Sequence, residues 1–175
     1  FILSLVSVFI QVPYWMKFFL KIGKYGVDIH KESKPLVPEM CGISIAISIS
    51  VLGFALYLFV PNLAYLAVIS TAIIGGLIGL ADDLIDLGGK IKPLLTLFAS
   101  LPILLLGQYD PHPALPFIPS TRLTVIYPIL IPIGIAVSTN AVNMLNVVNG
   151  ATPLLLIPIF LSLMFIGSVS YTHLT

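Results

Sequence analysis

The chain has 175 residues, of which 58% are hydrophobic and only 9% are charged, against roughly 25% charged residues in soluble domains. This composition excludes a water-soluble globular domain and predicts an integral membrane protein, and the net charge of +1 argues against binding a polyanion through bulk charge. The single cysteine, Cys41, excludes an intramolecular disulfide.

Six apolar stretches reach or approach the length of about 20 residues that a helix needs to cross a bilayer. In chain order they are residues 1–20, 42–60, 62–81, 93–109, 123–140 and 151–168. Pro61 separates the second stretch from the third, and polar loops separate the others. The sequence therefore predicts an all-α polytopic membrane protein with about six transmembrane helices.

The charged residues are sorted by loop. If each stretch crosses the membrane, the first, third and fifth loops lie on one side, together with the end of the first helix. That side holds seven of the eight basic residues and six of the seven acidic residues, whereas the opposite side holds Arg122 and Asp110. Because basic loops are retained in the cytoplasm, the sequence predicts that these three loops are cytoplasmic.

Three acidic residues, Asp82, Asp83 and Asp86, lie within five positions directly after a charge-free stretch. A charge at membrane depth costs at least ~2.5 to 3.5 kcal/mol, so such a cluster is expected to face water, a cation or a substrate. On a continuing helix, Asp82 and Asp86 share a face, and Asp83 points about 100° away. Carboxylates followed by Lys90 and Lys92 are typical of phosphoryl transfer, and the alternative is a solvated surface charge run.

Two further stretches on the predicted cytoplasmic side are polar. Residues 26–42 mix cations, anions and prolines, which suits either a structured anion-binding loop or a solvated basic loop near anionic lipid. Asparagines at 140, 143, 146 and 149 recur every third residue and would form one stripe on a helix. Because a buried amide needs partners, this stripe predicts a polar cavity or a polar helix-packing seam.

Together and in this order, these three stretches resemble the polyprenyl-phosphate N-acetylhexosamine-1-phosphate transferases, and in particular their eukaryotic and archaeal UDP-GlcNAc:dolichyl-phosphate branch. The resemblance covers residues 23–150. It implies a roughly ten-helix fold, of which this chain holds about six. It also implies Mg²⁺, or Mn²⁺, as cofactor, a UDP-N-acetylhexosamine donor, a polyprenyl or dolichyl phosphate acceptor, and no nucleic acid partner. The expected location is an archaeal plasma membrane or the ER membrane.

The resemblance further implies a role for individual residues. Asp82 and Asp83 match the family's paired aspartates, with Asp82 directed to the acceptor phosphate, and Lys92 matches the lysine that contacts the diphosphate. Asn143 matches an asparagine that helps to hold Mg²⁺. The remaining matches are expected to border the substrates, and they are Asp28, Lys31, Glu39, Asp86, Asn140, Asn149 and Gly150.

Several alternatives stay open at this point. Asn146 departs from the bacterial pattern, which weakens a bacterial-type undecaprenyl-phosphate sugar-1-phosphate transferase without excluding it. A cation transporter would use the carboxylates and asparagines as an ion path, although such proteins place ionisable groups near the bilayer midplane. A non-catalytic membrane scaffold is a third interpretation. A homodimer of the full-length protein is also open.

The chain is expected to be a fragment. The second half of the family's fold normally supplies another Mg²⁺-binding aspartate and a basic loop, and neither is found in this sequence. Residues 1–169 are therefore expected to form a partial transferase domain that is inactive alone. Residues 170–175 break the hydrophobic pattern and resemble a non-native tail.

Overall fold

The structure, a computed structural model, describes residues 2–27, 32–38, 40, 42–111, 123–145 and 151–172. The chain divides into two compact units, residues 1–136 and 137–175. The helices in chain order are α1 (Ile2–Lys21), α2 (Gly42–Phe59), α3 (Leu63–Ile85), α4 (Gly88–Phe98), α5 (Leu101–Leu105), α6 (Ile126–Leu145) and α7 (Ala151–Thr172). Two short strands, β1 (Tyr25–Val27) and β2 (Leu36–Pro38), lie between α1 and α2.

The predicted membrane-spanning helices are confirmed. Within the described ranges, six helical segments are long and apolar enough to cross a bilayer, with α4 and α5 together forming the fourth. The break at Pro61 is also confirmed, because α2 ends at Phe59 and α3 begins at Leu63. Asn62 caps α3, since its side-chain oxygen accepts a hydrogen bond from the Ala64 backbone N–H at 2.8 Å. The chain is an integral membrane protein.

The boundaries around the acidic cluster differ from the prediction. The sequence predicts that the third span ends at Ala81, but α3 continues to Ile85. It also predicts that the fourth span begins at Pro93, but α4 begins at Gly88. Apolar composition marks the part of a helix that lies in hydrocarbon, whereas backbone hydrogen bonding continues into the polar interface. The acidic cluster therefore lies on the last turn of α3 and the turn that follows it.

The helices of the first unit pack against each other mainly through small side chains. α2 packs against α1 and α3, and α3 also packs against α4 and α5. Most of the buried side chains among the described residues are alanine, serine or threonine, while many leucine, isoleucine and phenylalanine side chains are exposed. This is the expected pattern for a membrane protein, because small residues allow helices to approach and large apolar residues face lipid.

A polar cluster joins α1 to α2 at bilayer depth. We call it the serine–glutamine cluster, and its members are Ser7, Gln11 and Ser48. The Ser7 and Ser48 hydroxyls are hydrogen-bonded at 2.9 Å, and the Gln11 amide donates to Ser7 Oγ at 2.8 Å and to Ser48 Oγ at 3.1 Å. Since these partners sit on two helices, the cluster defines the register in which α1 and α2 pack.

The first loop contains a short antiparallel hairpin, which the sequence does not predict. Tyr25 pairs with Pro38, Gly26 with Val37 and Val27 with Leu36. Strands of three residues are too short to show an alternating pattern, so no sequence signal identifies them. The hairpin brings the two ends of the loop together between α1 and α2.

We expect Gly53→Val to destabilise the packing of α2 on α3. A Cβ added at Gly53 would lie 2.8 Å from Ile69 Cγ1, so the helices or the Ile69 side chain would have to move. Overpacking of this kind typically costs about 1 to 3 kcal/mol. Thermal unfolding in detergent measures the change, and Gly75→Val is the matched control, because a Cβ there meets no atom within 4 Å. Equal unfolding temperatures for the two variants would contradict this prediction.

Candidate active site

Asp82 is held in place by hydrogen bonds on both carboxylate oxygens. Oδ1 accepts a hydrogen bond from the Leu87 backbone N–H at 3.2 Å, and Oδ2 forms an ion pair with the Lys92 ammonium group on α4. The Lys92 and Asp82 side chains are 12% and 18% exposed. Two of the three residues predicted to be catalytic are therefore in direct contact, and their pairing connects the end of α3 to the first turns of α4.

The turn between these helices is closed by Asp86. Its backbone N–H donates to the Asp82 carbonyl at 2.8 Å, and its φ of 48° places it in the left-handed region, where it ends α3. Its Oδ1 accepts a hydrogen bond from the Gly88 N–H at 3.3 Å. The expectation that Asp86 continues the helix and shares a face with Asp82 is therefore wrong, because α3 ends one residue earlier. Asp86 shapes the turn that precedes Lys92.

Asp82 and Asp83 are directed to different neighbours. Asp82 reaches α4, whereas Asp83 is exposed and lines an apolar groove of about 480 Å³ between α2 and α3. Consecutive residues on a helix point about 100° apart, so this divergence follows from the helical last turn of α3. The expectation that Asp83 points away from Asp82 is confirmed, and the pair faces two distinct environments.

The first loop reaches the end of α3 through Lys24. The Lys24 ammonium group lies 3.4 Å from the Leu84 carbonyl oxygen, one of the last carbonyls of the helix. A cation at a helix C-terminus is favourable, because the helix dipole is negative there. Gly42, the first residue of α2, lines the same groove as Asp83. The first and third loops therefore lie at one end of the first unit, which we call the acidic end.

The donors at the acidic end suit a magnesium ion that arrives with phosphate groups. Within the described part of the chain, no three histidine, cysteine, aspartate or glutamate side chains are grouped closely enough to hold a metal by themselves. Both oxygens of Asp82 already accept hydrogen bonds. Mg²⁺ is commonly bound through one or two carboxylates together with substrate phosphates and water, and Asp83 provides such a carboxylate.

The other predicted site residues fall into two groups. Asn140 and Asn143 lie near the end of α6, in the second unit, where Asn140 is half-buried and Asn143 is exposed. Because α6 ends at Leu145, the predicted asparagine stripe is described only at these two positions. The remaining predicted residues lie outside the described residues, and they are Asp28, Lys31, Glu39, Asn149 and Gly150.

The sequence of this region matches a known family. Residues 63–174, from the start of α3 into the end of the chain, match the sequence profile of glycosyl transferase family 4. The match covers more than half of the chain and includes the paired aspartates, Lys92 and both described asparagines. The chain belongs to glycosyl transferase family 4.

Relatives within glycosyl transferase family 4 come from archaea and from yeast. A protein of Sulfolobus acidocaldarius, provisionally named UDP-N-acetylglucosamine–dolichyl-phosphate N-acetylglucosaminephosphotransferase, is 29% identical over 154 residues, which are 84% of this chain and 47% of that protein. A Saccharolobus solfataricus protein with the same provisional name is 28% identical over 86% of this chain and 46% of its own length. The Saccharomyces cerevisiae enzyme of that name is 27% identical over 57% of this chain and 30% of its own length. The chain spans about half the length of the archaeal relatives that it matches.

Sequence reasoning missed two contacts of this glycosyl transferase family 4 chain. The first is the bond from the Leu87 N–H to Asp82, which depends on the left-handed residue at 86 and has no local sequence signal. The second is the serine–glutamine cluster. The serines at 44 and 48 are four residues apart, and therefore on one face of α2, so their spacing could have indicated a polar helix contact.

Proposed function

We propose that the protein carrying this chain transfers N-acetylglucosamine-1-phosphate from UDP-GlcNAc to dolichyl phosphate or a related polyprenyl phosphate, releasing UMP. One observation carries the proposal. Asp82, Asp83 and Lys92 meet at the end of a membrane-spanning helix, inside the stretch that matches glycosyl transferase family 4. The names of the archaeal and yeast relatives specify the same donor and acceptor.

The acidic end faces the cytoplasm in this proposal. Seven of the eight basic residues belong to the loops and helix end assigned to that side, which supports the assignment. A nucleotide sugar arrives from water, and its acceptor has a long apolar chain in the membrane, so the reaction requires a site at the interface. In an archaeon this interface belongs to the plasma membrane, and in a eukaryote to the ER membrane.

The chemistry is a displacement at phosphorus. An oxygen of the acceptor phosphate attacks the phosphorus that bears the sugar, and the bond from that phosphorus to the UMP oxygen breaks. A phosphate monoester has a second pKa near ~6, so the acceptor is mostly dianionic at neutral pH. A strong general base is therefore unnecessary, and Asp82 removes the residual proton or orients the attacking oxygen. Positioning and charge neutralisation supply most of the catalysis.

Lys92 serves both Asp82 and the leaving diphosphate. An ammonium group donates up to three hydrogen bonds, so Lys92 can hold the Asp82 carboxylate and a phosphate oxygen at once. The Leu87 N–H fixes the second oxygen of Asp82, which orients the carboxylate before substrates arrive. Their pairing therefore keeps an acid and a cation in position on a short turn.

Asp83 and Asn143 are the residues that we propose as ligands of Mg²⁺. When bound, Mg²⁺ neutralises the negative charge that builds on the diphosphate as the bond breaks. We propose that Asp86, Asn140, Asn149 and Gly150 border the donor, and that Asp28, Lys31 and Glu39 extend the same site from the first loop. These assignments rest on the resemblance to the family, and each oxygen donor among them suits a hard cation or a sugar hydroxyl.

A transfer assay tests the proposed function. Membranes that contain the protein carrying this chain are incubated with UDP-GlcNAc, dolichyl phosphate and Mg²⁺, and the products are separated by mass. We expect a lipid-linked GlcNAc diphosphate and UMP in equal amounts. Chelation of divalent cations is expected to stop transfer, and Mg²⁺ or Mn²⁺ to restore it, because the diphosphate charge is otherwise left unneutralised.

The same assay separates the alternatives. Transfer to undecaprenyl phosphate without transfer to dolichyl phosphate would identify a bacterial-type enzyme. Ion flux through reconstituted vesicles without any sugar transfer would identify a transporter and overturn the proposal. The position of Asp82 and Asp83 on the last turn of α3 argues against a transporter, because ion paths place their charges near the bilayer midplane.

A further inference from the structure

The apolar groove between α2 and α3 has no role in the chemistry proposed above. Its volume of about 480 Å³ falls in the range of roughly 300 to 1,000 Å³ that is typical of ligand sites. One face of each helix forms its walls, because positions three or four residues apart lie on the same side. The residues that carry the argument are Gly42, Ala46, Ser50, Gly76, Gly79 and Asp83.

The groove is apolar along its length and charged at one end. Among the described residues that line it, Asp83 is the charged one. The Ser50 hydroxyl donates to the Ala46 carbonyl at 2.7 Å, so its proton is used within α2. A polar ligand would leave its own donors and acceptors without partners against these walls, which is unfavourable. The distribution fits an amphiphile that has a hydrocarbon chain and an ionic head.

Glycines give this groove a floor of bare backbone. A Cβ added at Gly42 or at Gly79 would have no heavy atom within 4 Å. At Gly76, by contrast, an added Cβ would lie 3.3 Å from Ala46 Cβ, so the two helices touch there. The open space beside Gly42 and Gly79 therefore belongs to the groove, and a chain with methyl branches can approach the backbone closely.

We propose that this groove holds the first isoprene units of the acceptor lipid, with the phosphate at the Asp83 end. The proposal rests on the proposed function and adds the path by which the lipid enters the site. The acceptor phosphate has to reach Asp82 and Lys92 while the chain bonded to it stays in apolar surroundings. The groove is continuous with these residues, because Asp83 lies next to Asp82 in the chain and lines the groove.

A further helix of the longer protein is the competing occupant. The archaeal relatives are about twice as long as the stretch matched here. A helix packed along the whole groove would cover the Asp83 carboxylate, and burying a charge against an apolar helix is costly. A lipid phosphate at this end keeps the carboxylate beside polar groups and water, and for this reason we favour the lipid.

The test narrows the groove without touching the reacting groups. Gly79→Leu places a side chain in the groove, and Gly75→Leu is the matched control, because Gly75 lies on the same helix, has open space and does not line the groove. We expect Gly79→Leu to raise the KM for dolichyl phosphate by about tenfold or more with little change in kcat. Citronellyl phosphate, whose short chain requires less of the groove, is expected to be affected less. Gly79→Ala provides a graded variant if the leucine variant folds poorly.

Photolabelling gives a second readout that requires no turnover. A polyprenyl phosphate with a diazirine in its first isoprene unit is expected to label peptides of α2 and α3 in the wild type and in Gly75→Leu, and to lose this labelling in Gly79→Leu. Labelling elsewhere, or equal KM values for the two leucine variants, would overturn the groove as the lipid path. Wild-type protein that transfers sugar phosphate to no polyprenyl phosphate would instead overturn the proposed function, and the labelling would still decide what the groove binds.

Discussion

Replacing Asp82 by asparagine is expected to lower kcat by about 10²- to 10⁴-fold, the usual contribution of a positioned acid or base, while UDP-GlcNAc binding is retained. The amide oxygen of asparagine can still accept the Leu87 N–H, so the end of α3 keeps one of its two contacts. The amide nitrogen, however, would face the Lys92 ammonium group, and neither can accept a hydrogen bond from the other. The variant therefore loses the carboxylate charge and its ion pair together.

A double variant separates the chemical role of Asp82 from its structural role. Asp82→Asn combined with Lys92→Gln restores a neutral hydrogen bond between α3 and α4. We expect the double variant to regain the thermal stability that the single variant loses, and to remain as slow in transfer. Recovery of transfer in the double variant would show that the contact between the two helices matters and that the carboxylate takes no part in the reaction.

Lys92→Met is expected to lower transfer by about 10²- to 10³-fold, which is typical when one preorganised donor to a developing negative charge is removed. Methionine keeps most of the apolar length of the side chain, so the loss is mainly the ammonium group. We expect the KM for UDP-GlcNAc to rise and kcat to fall, because the cation would contact the diphosphate in the ground state and more strongly as the bond breaks. Lys92→Arg should retain part of the activity.

Lys90→Met is the matched control for this change. Lys90 lies on the same helix two positions earlier, is exposed, and so points away from the face that carries Lys92. We expect its transfer rate to stay close to that of the wild type. If Lys92→Met loses thermal stability but transfers sugar phosphate at the wild-type rate, Lys92 only supports the position of Asp82 and does not contact the donor.

The sequence predicted the membrane-spanning helices well, because charge-free stretches of this length have few other interpretations in a chain so poor in charge. It predicted the ends of these helices less well. Ala81 and Pro93 were expected to bound the third loop, and the helices instead extend to Ile85 and begin again at Gly88. Hydropathy measures contact with lipid, whereas the end of a helix depends on where backbone groups find other partners.

The candidate site shows the same difference between composition and geometry. The divergence of Asp82 and Asp83 followed from helical periodicity, and the structure confirms it. The ion pair of Asp82 with Lys92 depends on the left-handed conformation of Asp86, which a sequence of this kind does not specify. Roles for Asp83, Asn143 and the first-loop residues remain predictions that the proposed experiments address.

The serine–glutamine cluster has a consequence for how the chain enters the membrane. Gln11 is a polar residue in the middle of an apolar helix, and its amide donates to hydroxyls on both α1 and α2. If α1 left the translocon alone, this amide would be exposed to lipid without a partner on α2. We therefore expect α1 and α2 to be released into the bilayer as a hairpin, with Ser48 already bonded to Gln11.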